Sequence, residues 1–457
     1  MLNSRRAGLV RMSPDRVCGS RYQEVGRGLF ISAVTLLAAR GSLPEETDAM
    51  NDCLTKTPSI SLAQAPFALT DGSQRHAAYA EMAATAPVHR IMLPTGQRAW
   101  LITGYHELRQ ALHDPRLVTR EAAQANLYRE RLSPEVFAGL TSHMLNHNPP
   151  EHTRLRRLVT AAFTRRRIEQ LTPRIQQITN ALLDAIATQT STDLLASLGY
   201  PLPITVICEL LGVPTDDHVQ FHDWSTTLTT GALAEPQAYC CAASALVHYL
   251  RNLLQIKRDT PADDLLSALL AVREGQDQLT EDELTSMACL LLIAGHETTA
   301  NLIGNAVHAL LTHPQQWALL QTQPHHLNTA IEELLRFDGP LQISHLRRST
   351  EPIDIGDTTI PAGEIVVPGL LAANRHPACT AQPQALDLTR ADHSHLAFGH
   401  GIHHCLGAPL TRLEARIALS SLLTRFPRLR LAVPTNQLTW RPSMLVNGLT
   451  ALPVTLH

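Results

Sequence analysis

The chain has 457 residues, of which 44% are hydrophobic and 17% are charged, so it can bury a large core in one big domain or in two to three ordinary ones. A net charge of −3 gives no reason to expect nucleic acid or an anionic membrane as a partner, and aromatic residues at 4% leave little for base stacking. The eight cysteines are scattered without a CxxC pair, which favours a reducing compartment and predicts a cytoplasmic protein.

Residues 1–65 are predicted to form an N-terminal extension. The apolar run 29–39 follows several arginines, as in a signal peptide, but the sequence Leu-Ala-Ala-Arg after it is a poor cleavage site. No run approaches the roughly 20 apolar residues that a membrane-spanning helix needs. We therefore expect a disordered or partly spurious extension, with Met50 as a possible start, followed by one continuous domain over residues 66–457.

Helical patterns dominate this domain. Apolar residues recur at three- and four-residue spacing over 173–187, which predicts a core-facing helix. A longer helix is predicted to begin at Thr280, where Glu283 completes a capping box, and to continue to Thr312. Strand patterns are concentrated late, over residues 353–367, where Ile353 and Ile355 alternate before a Gly-Asp turn, and they suggest a small antiparallel sheet. The predicted fold is mainly α with a minor β part.

The long helix changes character at its centre. Residues 288–294 are all apolar, as in a buried helix, and are followed by Gly-His-Glu-Thr-Thr. Polar groups inside a buried helix are costly unless they are hydrogen-bonded or functional. Gly295 would leave room for a ligand, Thr298 can exchange a proton, and Glu297 offers a carboxylate for proton delivery. A solvent-facing polar patch is the alternative interpretation.

Cys405 lies in an unusual loop, residues 398–407. Gly399 and Gly401 allow a tight turn, and the apolar spacing after Cys405 places the thiol at the start of a helix, where a thiolate is favoured. A thiolate in a rigid Gly-rich loop suits the axial position of a haem iron. The alternatives are a buried structural thiol and a zinc site shared with nearby histidines. A zinc site usually takes its ligands from two segments, and the sequence has no second Cys/His pair that could complete this cluster.

These stretches resemble the cytochrome P450 family over nearly all of the chain from about residue 66. The Cys405 loop matches the family's haem-binding signature FGxGxHxCxG at every fixed position, and residues 294–299 match its oxygen-activating helix motif. Glu333 and Arg336 look like its E-x-x-R pair. The resemblance implies the cytochrome P450 fold, a single domain with a long central helix over haem b.

The resemblance also implies roles for individual residues. Cys405 would ligate the iron, and Glu297 and Thr298 would act in catalysis by ordering or relaying protons. The other cofactor contacts would be Phe398 and Gly399 on the loop, Ala294 and Gly295 on the helix, and His152, Arg156, Arg347 and His403 at the haem propionates. Many members have an arginine where Ala385 stands. Arg375 and Arg390 are therefore candidates for the third partner of Glu333 and Arg336.

The implied function is a haem-thiolate monooxygenase that inserts one atom of O2 into a mostly apolar small molecule, by hydroxylation or epoxidation. Secondary-metabolite biosynthesis and xenobiotic oxidation are the expected settings. By family position, the substrate pocket would be lined by five segments, residues 124–145, 229–233, 291–296, 341–345 and 444–447. Asn146 and Asn447 would be its polar contacts. The rivals are a peroxide-using or coupling haem-thiolate enzyme and a zinc-binding helical protein.

Electrons are expected from separate proteins, because no dinucleotide fingerprint or flavin-binding half follows the haem domain. The resemblance implies a ferredoxin and a ferredoxin reductase, with no nucleic-acid or membrane partner. Basic residues are expected to attract an acidic donor to the cysteine side: Arg154, Arg157, Arg165 to Arg167, Arg412 and Arg416.

Overall fold

The computed structural model describes residues 59–60, 66–93, 96–119, 129–230, 235–272 and 277–457. Residues 57–457 form one compact unit. The prediction of an N-terminal extension with a possible start at Met50 concerns residues outside this description, apart from Ser59–Ile60. Those two residues form a strand that pairs parallel to Arg90–Ile91, and the boundary at residue 66 stays a prediction.

Helices make up most of the described chain. They are α1 Gly72–Thr85, α2 Tyr105–His113, α3 Pro134–Thr141, α4 Glu151–Ala162, α5 Arg165–Gln170, α6 Thr172–Ile186, α7 Pro201–Leu211, α8 His218–Thr230, α9 Pro236–Asp259, α10 Leu265–Ala271, α11 Glu281–Thr312, α12 Pro314–Thr322, α13 Leu327–Asp338, α14 Leu370–Asn374 and α15 Ala408–Arg425.

The strands are short and form three sheets. They are β1 Ser59–Ile60, β2 Val88–Met92, β3 Arg98–Ile102, β4 Leu117–Val118, β5 Ser191–Asp193, β6 Arg347–Ser349, β7 Ile353–Ile355, β8 Thr358–Ile360, β9 Ile365–Pro368, β10 Arg430–Leu431 and β11 Pro453–Thr455. The largest sheet has six strands in the order β1-β2-β3-β9-β6-β4, and the others have the orders β10-β11-β5 and β7-β8.

The late β segment matches its prediction in part. β7 and β8 are antiparallel, with Ile353 opposite Ile360, and Gly356 in the turn between them has a φ of +56°, which favours glycine. β9 does not join this hairpin. It lies parallel to β3 and antiparallel to β6 in the six-stranded sheet. The sequence analysis missed β2 and β3. Polar residues interrupt the apolar pattern of β2, and the apolar run of β3 is only four residues long.

The long helix α11 organises the core. Its capping box is present, since the Glu283 backbone N–H donates to Thr280 Oγ1 at 3.3 Å and the Thr280 N–H donates to Glu283 Oε2 at 2.8 Å. The helix ends at Thr312, so both its predicted start and its predicted end are confirmed. α11 packs against α3, α7, α9, α13 and α15. It is long and apolar enough to cross a membrane, but 72% of its most apolar stretch is buried inside the protein, and core helices pass the same test.

Candidate active site

The Cys405 loop is held by backbone hydrogen bonds. The Cys405 N–H donates to Phe398 O at 2.9 Å, and the Gly399 N–H donates to Leu396 O at 2.8 Å. Gly399 and Gly401 have φ values of +71° and +74°. A Cβ on Gly401 would lie 2.8 Å from Leu112 O, so this position tolerates no side chain. The two glycines therefore allow the turn and the close approach to α2 that fix the loop.

The Cys405 thiol is open on one side and enclosed by protein on the others. Burial raises its pKa. Hydrogen bonds from the backbone N–H groups of Gly407 and Ala408, and the positive charges of Arg156 and Arg412, lower it by a smaller amount. The helix start thus lowers the pKa of the thiol as expected, but burial raises it by more. A bound metal ion would replace the thiol proton and stabilise the thiolate.

Three side chains beside this loop, His152, His403 and Arg347, place unpaired polar groups at one edge of the site, and Arg156 lies next to them. The His152 and His403 rings meet edge to face with their centroids 4.5 Å apart. All four of their ring nitrogens are buried, with no hydrogen-bond partner among the described residues. Arg347 is 3% exposed, and its Nε is likewise buried without a partner. Arg156 Nη2 donates to His404 O at 2.7 Å, which brings α4 against the cysteine loop.

The two arginines supply the positive charge of this cluster, and the two histidines are neutral at physiological pH. Burial, together with the smaller effect of the nearby charges of Arg156 and Arg347, lowers the pKa of His152 to about 4 and that of His403 to about 2. Burial lowers the pKa of Arg347 to about 10. Buried donors and cations without acceptors are costly. A ligand with carboxylates would satisfy them, so the donor set fits the two propionates of haem.

The structure also separates Arg347 from its neighbour. Arg347 Nη1 donates to Leu117 O at 3.2 Å and its side chain lies in the buried cluster. Arg348 is less buried and its Nη1 donates to Gly363 O at 2.6 Å, away from the cluster. Of these two neighbours, Arg347 is therefore the one whose side chain lies in the cluster that would hold the propionates.

One face of α11 is open at its centre. Ala294 is exposed and Thr298 is partly exposed, whereas Leu292, His296 and Glu297 are buried. Ala294 and Thr298 are four residues apart and therefore share a helix face. The Thr298 hydroxyl donates to Ala294 O at 2.8 Å. This face carries a polar hydroxyl in an otherwise apolar stretch.

The role predicted for Gly295 is corrected. A Cβ there would lie 2.9 Å from Ile207 Cδ1 and Cγ1. The missing side chain therefore admits α7 against α11 and does not open space for a ligand. Close helix packing is the physical reason for glycine at this position.

The Glu297 carboxylate accepts hydrogen bonds from residues that the sequence analysis missed. Its carboxylate is 1% exposed and accepts from Thr226 Oγ1 at 2.8 Å and from Arg441 Nη1 at 2.9 Å. Asn301 Nδ2 adds a contact at 3.3 Å. Burial raises the pKa of Glu297, but the Arg441 and His296 charges outweigh it, so the pKa is lower than usual. Thr226 and Arg441 lie 71 and 144 residues away in sequence, and no local pattern signals them.

The E-x-x-R pair is buried and joined by a third residue. Arg336 Nε and Nη2 donate to the two Glu333 carboxylate oxygens at 2.7 and 2.8 Å. Arg390 Nε lies 3.3 Å from Glu333 Oε2. Arg375 instead stacks on the Phe337 ring, 4.4 Å from its centroid. Arg390 is thus the third partner.

The basic residues on the cysteine side are largely paired. Arg154 contacts Asp277 and Glu283, and Arg167 contacts Asp263 at 3.2 Å. Arg412 donates to both Glu332 oxygens at 2.7 Å and lies over the Phe398 ring. Intramolecular ion pairs therefore reduce the positive charge available to a partner.

The predicted pocket segments are only partly described, since residues 124–128 and 231–233 lie outside the description. A cavity of about 250 Å³ is lined by Thr229, Arg441, Pro442, Ser443, Val446 and Thr450. Asn447 is fully buried and bonded to Arg75, Asp338 and Gly339. The role expected for Asn447 as a polar substrate contact is therefore corrected to a structural one.

Comparisons with known proteins agree with this arrangement. A family model described as cytochrome P450 matches residues 241–437. Cytochrome P450 107B1 of Saccharopolyspora erythraea is 47% identical over 385 residues, which cover 83% of this chain and 94% of the relative. The cytochrome P450 monooxygenase PikC of Streptomyces venezuelae is 44% identical over 384 residues, covering 82% of this chain and 89% of PikC.

Solved structures agree as well. The tirandamycin C-bound P450 monooxygenase TamI is 46% identical, with a TM-score of 0.77 over 84% of this chain and 97% of TamI. The mycinamicin IV hydroxylase/epoxidase of Micromonospora griseorubida is a further relative in sequence, 41% identical over 392 residues, covering 85% of this chain and 97% of that enzyme.

Proposed function

The chain belongs to the cytochrome P450 family and is a haem b-dependent monooxygenase, and we propose that it oxidises a bacterial secondary metabolite with Cys405 as the iron ligand. The observation that carries the residue assignment is the cluster of buried donors without acceptors beside the Cys405 loop. His152, His403, Arg347 and Arg156 offer nitrogen donors to a group with two carboxylates.

Haem, when bound, supplies the reductive activation of O2 and the oxygen transfer. The residues of this chain hold it and control protons. The glycine turns at Gly399 and Gly401 fix the position of the Cys405 sulfur. Phe398 and Ala294 offer apolar surface on the loop and on α11.

The proton pathway is assigned to α11. Thr298 is partly exposed on the open face, and its hydroxyl holds a proton donated to Ala294 O at 2.8 Å. Glu297 is an ionised carboxylate anchored by Arg441 at 2.9 Å. Because every described partner of Glu297 is a donor, a proton reaching it would weaken the Arg441 contact. Glu297 therefore stays ionised and would pass a proton on without retaining it, while Thr298 would order its delivery.

The substrate class rests on the relatives. Mycinamicin IV hydroxylase/epoxidase and the tirandamycin C-bound TamI are named for secondary metabolites. A hydroxylation or epoxidation of a mostly apolar small molecule is therefore proposed here. Xenobiotic oxidation uses the same chemistry and is the second setting.

The electron donors and the compartment are part of the proposal. We assign reduction to a separate ferredoxin and ferredoxin reductase, and the enzyme to the cytoplasm. The paired state of Arg154, Arg167 and Arg412 means that the donor must recognise the remaining cations and the shape of the cysteine side.

The proposal is tested by comparing oxidant requirements. The purified holoenzyme is incubated with a library of secondary metabolites that includes mycinamicin IV and tirandamycin C. Two conditions are compared, O2 with reduced ferredoxin, or hydrogen peroxide alone. Oxygenated product that carries label from ¹⁸O2 only in the first condition supports the proposal. Product formed only with peroxide would assign the chain to the peroxide-using alternative.

A further inference from the structure

Three side chains around the Glu297 carboxylate form a cluster that can hold a metal ion. His222 lies on α8, and His296 and Glu297 are adjacent on α11. One ligand atom of each residue lies within 4.8 Å of a ligand atom of the other two. Two imidazoles and a carboxylate are a ligand set that Zn²⁺ uses in sites with an open fourth position. Among the described residues, the histidines of the cysteine loop form no group this close.

The hydrogen bonds of His296 prepare one of its ring nitrogens for an ion. The side chain is fully buried, and Nδ1 lies 2.9 Å from Leu292 O, a carbonyl oxygen that can only accept. The proton is therefore on Nδ1, and Nε2 carries the lone pair. A metal-ligating histidine commonly donates its other ring N–H to a carbonyl in this way, which fixes the ring. Burial lowers the pKa of His296, so at neutral pH no proton competes for Nε2.

Ser225 can release His296 Nε2 without losing its own hydrogen bond. Its hydroxyl oxygen lies 2.9 Å from Nε2 and 3.0 Å from His222 O. A hydroxyl has one proton to donate, and here two acceptors are within reach of it. When an ion binds Nε2, the Ser225 hydroxyl can therefore donate to His222 O instead.

The other two ligands have capacity for a further partner. His222 is half-buried, and its Nδ1 is buried with no hydrogen-bond partner among the described residues. Glu297 Oε1 accepts from Thr226, whereas Oε2 accepts from both Arg441 and Asn301. A carboxylate oxygen has two lone pairs, so Oε1 can bind an ion beside the Thr226 hydrogen bond. The Arg441 charge opposes a cation, but it is held on the other oxygen.

The cluster lies next to a cavity through which an ion can enter. Arg441, which donates to Glu297 Oε2, also lines the cavity of about 250 Å³ described above. Its side chain is 18% exposed, so solvent reaches it, whereas the Glu297 side chain is 1% exposed. An ion in the cavity is therefore separated from the carboxylate by the length of one side chain.

We propose that His222, His296 and Glu297 bind one Zn²⁺ ion, and that the bound ion inhibits the enzyme by occupying the carboxylate. The binding site stands on the geometry, whereas the inhibition rests on the proposed function, in which Glu297 passes protons on. Zn²⁺ is favoured over Mg²⁺ and Ca²⁺, because two of the three ligands are imidazole nitrogens and those ions prefer oxygen.

Binding is tested by calorimetric titration of the holoenzyme with Zn²⁺, with Mg²⁺ as the control ion. We expect tight binding of Zn²⁺ and none of Mg²⁺. His222→Phe keeps an aromatic ring against Tyr200 but removes both nitrogens, and should weaken binding by at least about tenfold to hundredfold. His325→Phe alters an exposed ring whose centroid lies 4.3 Å from that of His326, and should leave the tight site unchanged. Equal binding by His222→Phe and the parent protein, or a parent that binds no Zn²⁺, would overturn the proposal.

Ser225→Ala tests the assignment of His296 Nε2 as a ligand atom. The variant lacks the hydroxyl that competes for this nitrogen, so Zn²⁺ should bind about threefold to tenfold more tightly, as for one hydrogen bond that need not be broken. A structural role of Ser225 alone would not increase the affinity. An unchanged or weaker affinity would contradict ligation by Nε2.

Inhibition is measured as oxygen consumption with reduced ferredoxin at a Zn²⁺ concentration that saturates the parent protein. The parent should lose most of its rate, whereas His222→Phe should keep its rate at the same Zn²⁺ concentration. A parent that binds Zn²⁺ and keeps its full rate would overturn the inhibition. The reduced carbon monoxide spectrum of both proteins should stay that of a thiolate-ligated haem, and its loss would mark a failure of the proposed function instead.

Discussion

At the scale of single residues, Cys405 illustrates a competition between burial and a helix start. The N–H groups of Gly407 and Ala408 favour the thiolate, but burial prevails and the pKa of the thiol is raised. A free thiol with this environment is a poor nucleophile at neutral pH.

Thr298 provides the first prediction at this scale. Thr298→Ala removes the hydroxyl of the open α11 face without touching the Cys405 loop, so haem content should be unchanged. Proton delivery should fail, and reducing equivalents should appear as hydrogen peroxide, with product per electron pair falling several-fold. Thr298→Ser, which keeps the hydroxyl, should remain coupled. Tight coupling in Thr298→Ala would remove Thr298 from the mechanism.

Arg347 and Arg348 form a matched pair for the cofactor site. Arg347→Leu removes a buried cation from the propionate cluster, and haem should dissociate about tenfold to hundredfold faster, as expected for a lost charged hydrogen bond. Arg348→Leu alters a side chain that bonds Gly363 O, and should leave the rate unchanged. Haem transfer to an acceptor protein measures both. Equal rates in the two variants would show that Arg347 does not hold the cofactor.

Single residues were predictable where the chemistry is local. Cys405, His403 and the Thr298 hydroxyl stand in contiguous motifs, so the sequence alone is enough to propose them as site residues. Arg441 and Thr226 reach Glu297 from 144 and 71 residues away. Their pairing depends on how α8 and the C-terminal segment pack on α11. Gly295 was interpreted as space for a ligand because the approach of Ile207 is not visible in the sequence.

At the scale of elements, α11 was predictable from end to end. Its capping box and the His313-Pro314 stop are local signals, and its apolar centre predicted burial. The six-stranded sheet was not, because its strands come from distant parts of the chain and are two to five residues long. Such short segments carry too little periodicity to be distinguished from loops.

The Glu333–Arg336–Arg390 network joins α13 to the segment before the cysteine loop. Arg336 also donates to Asn374 O, Pro383 O and Ala385 O, so it ties three pieces of backbone together. The Glu333 and Arg336 side chains are each 1% exposed. Breaking a buried pair leaves an uncompensated charge, which is more costly than removing the whole pair.

This network gives an element-scale prediction. Glu333→Gln should lower the free energy of unfolding by about 3–5 kcal/mol, because Arg336 loses its buried counter-ion. The neighbouring Glu332→Gln removes the partner of Arg412, whose side chain is 39% exposed, and should cost clearly less because solvent compensates. Urea unfolding of both variants measures the difference. Equal losses would mean that the Glu333 network adds nothing beyond a surface pair.

At the scale of the whole molecule, the balance of ion pairs on the cysteine side governs the encounter with an electron donor. Arg154 is paired with Asp277 and Glu283, whereas Arg416 is exposed and has no ion pair with a described residue. Arg416 lies one turn after Arg412 on α15 and therefore shares its face. The remaining positive charge is thus concentrated in few residues.

Reduction by ferredoxin should therefore depend on salt. We expect the rate to fall as ionic strength rises, because screening shortens the reach of exposed charges to about 8 Å at 0.15 M. Arg416→Gln should slow reduction at low salt, and Arg154→Gln should have a smaller effect since its charge is already paired. Stopped-flow reduction of each variant measures this. A rate indifferent to ionic strength contradicts electrostatic docking.

The central claim is that Cys405 ligates a haem iron as a thiolate, and it is tested most directly by the absorbance difference spectrum of the reduced protein with and without carbon monoxide. The account predicts the far-red-shifted Soret band of a thiolate-ligated haem, and its loss in Cys405→Ser. A haem spectrum without that shift in the parent protein, or a protein that binds no haem, would contradict it.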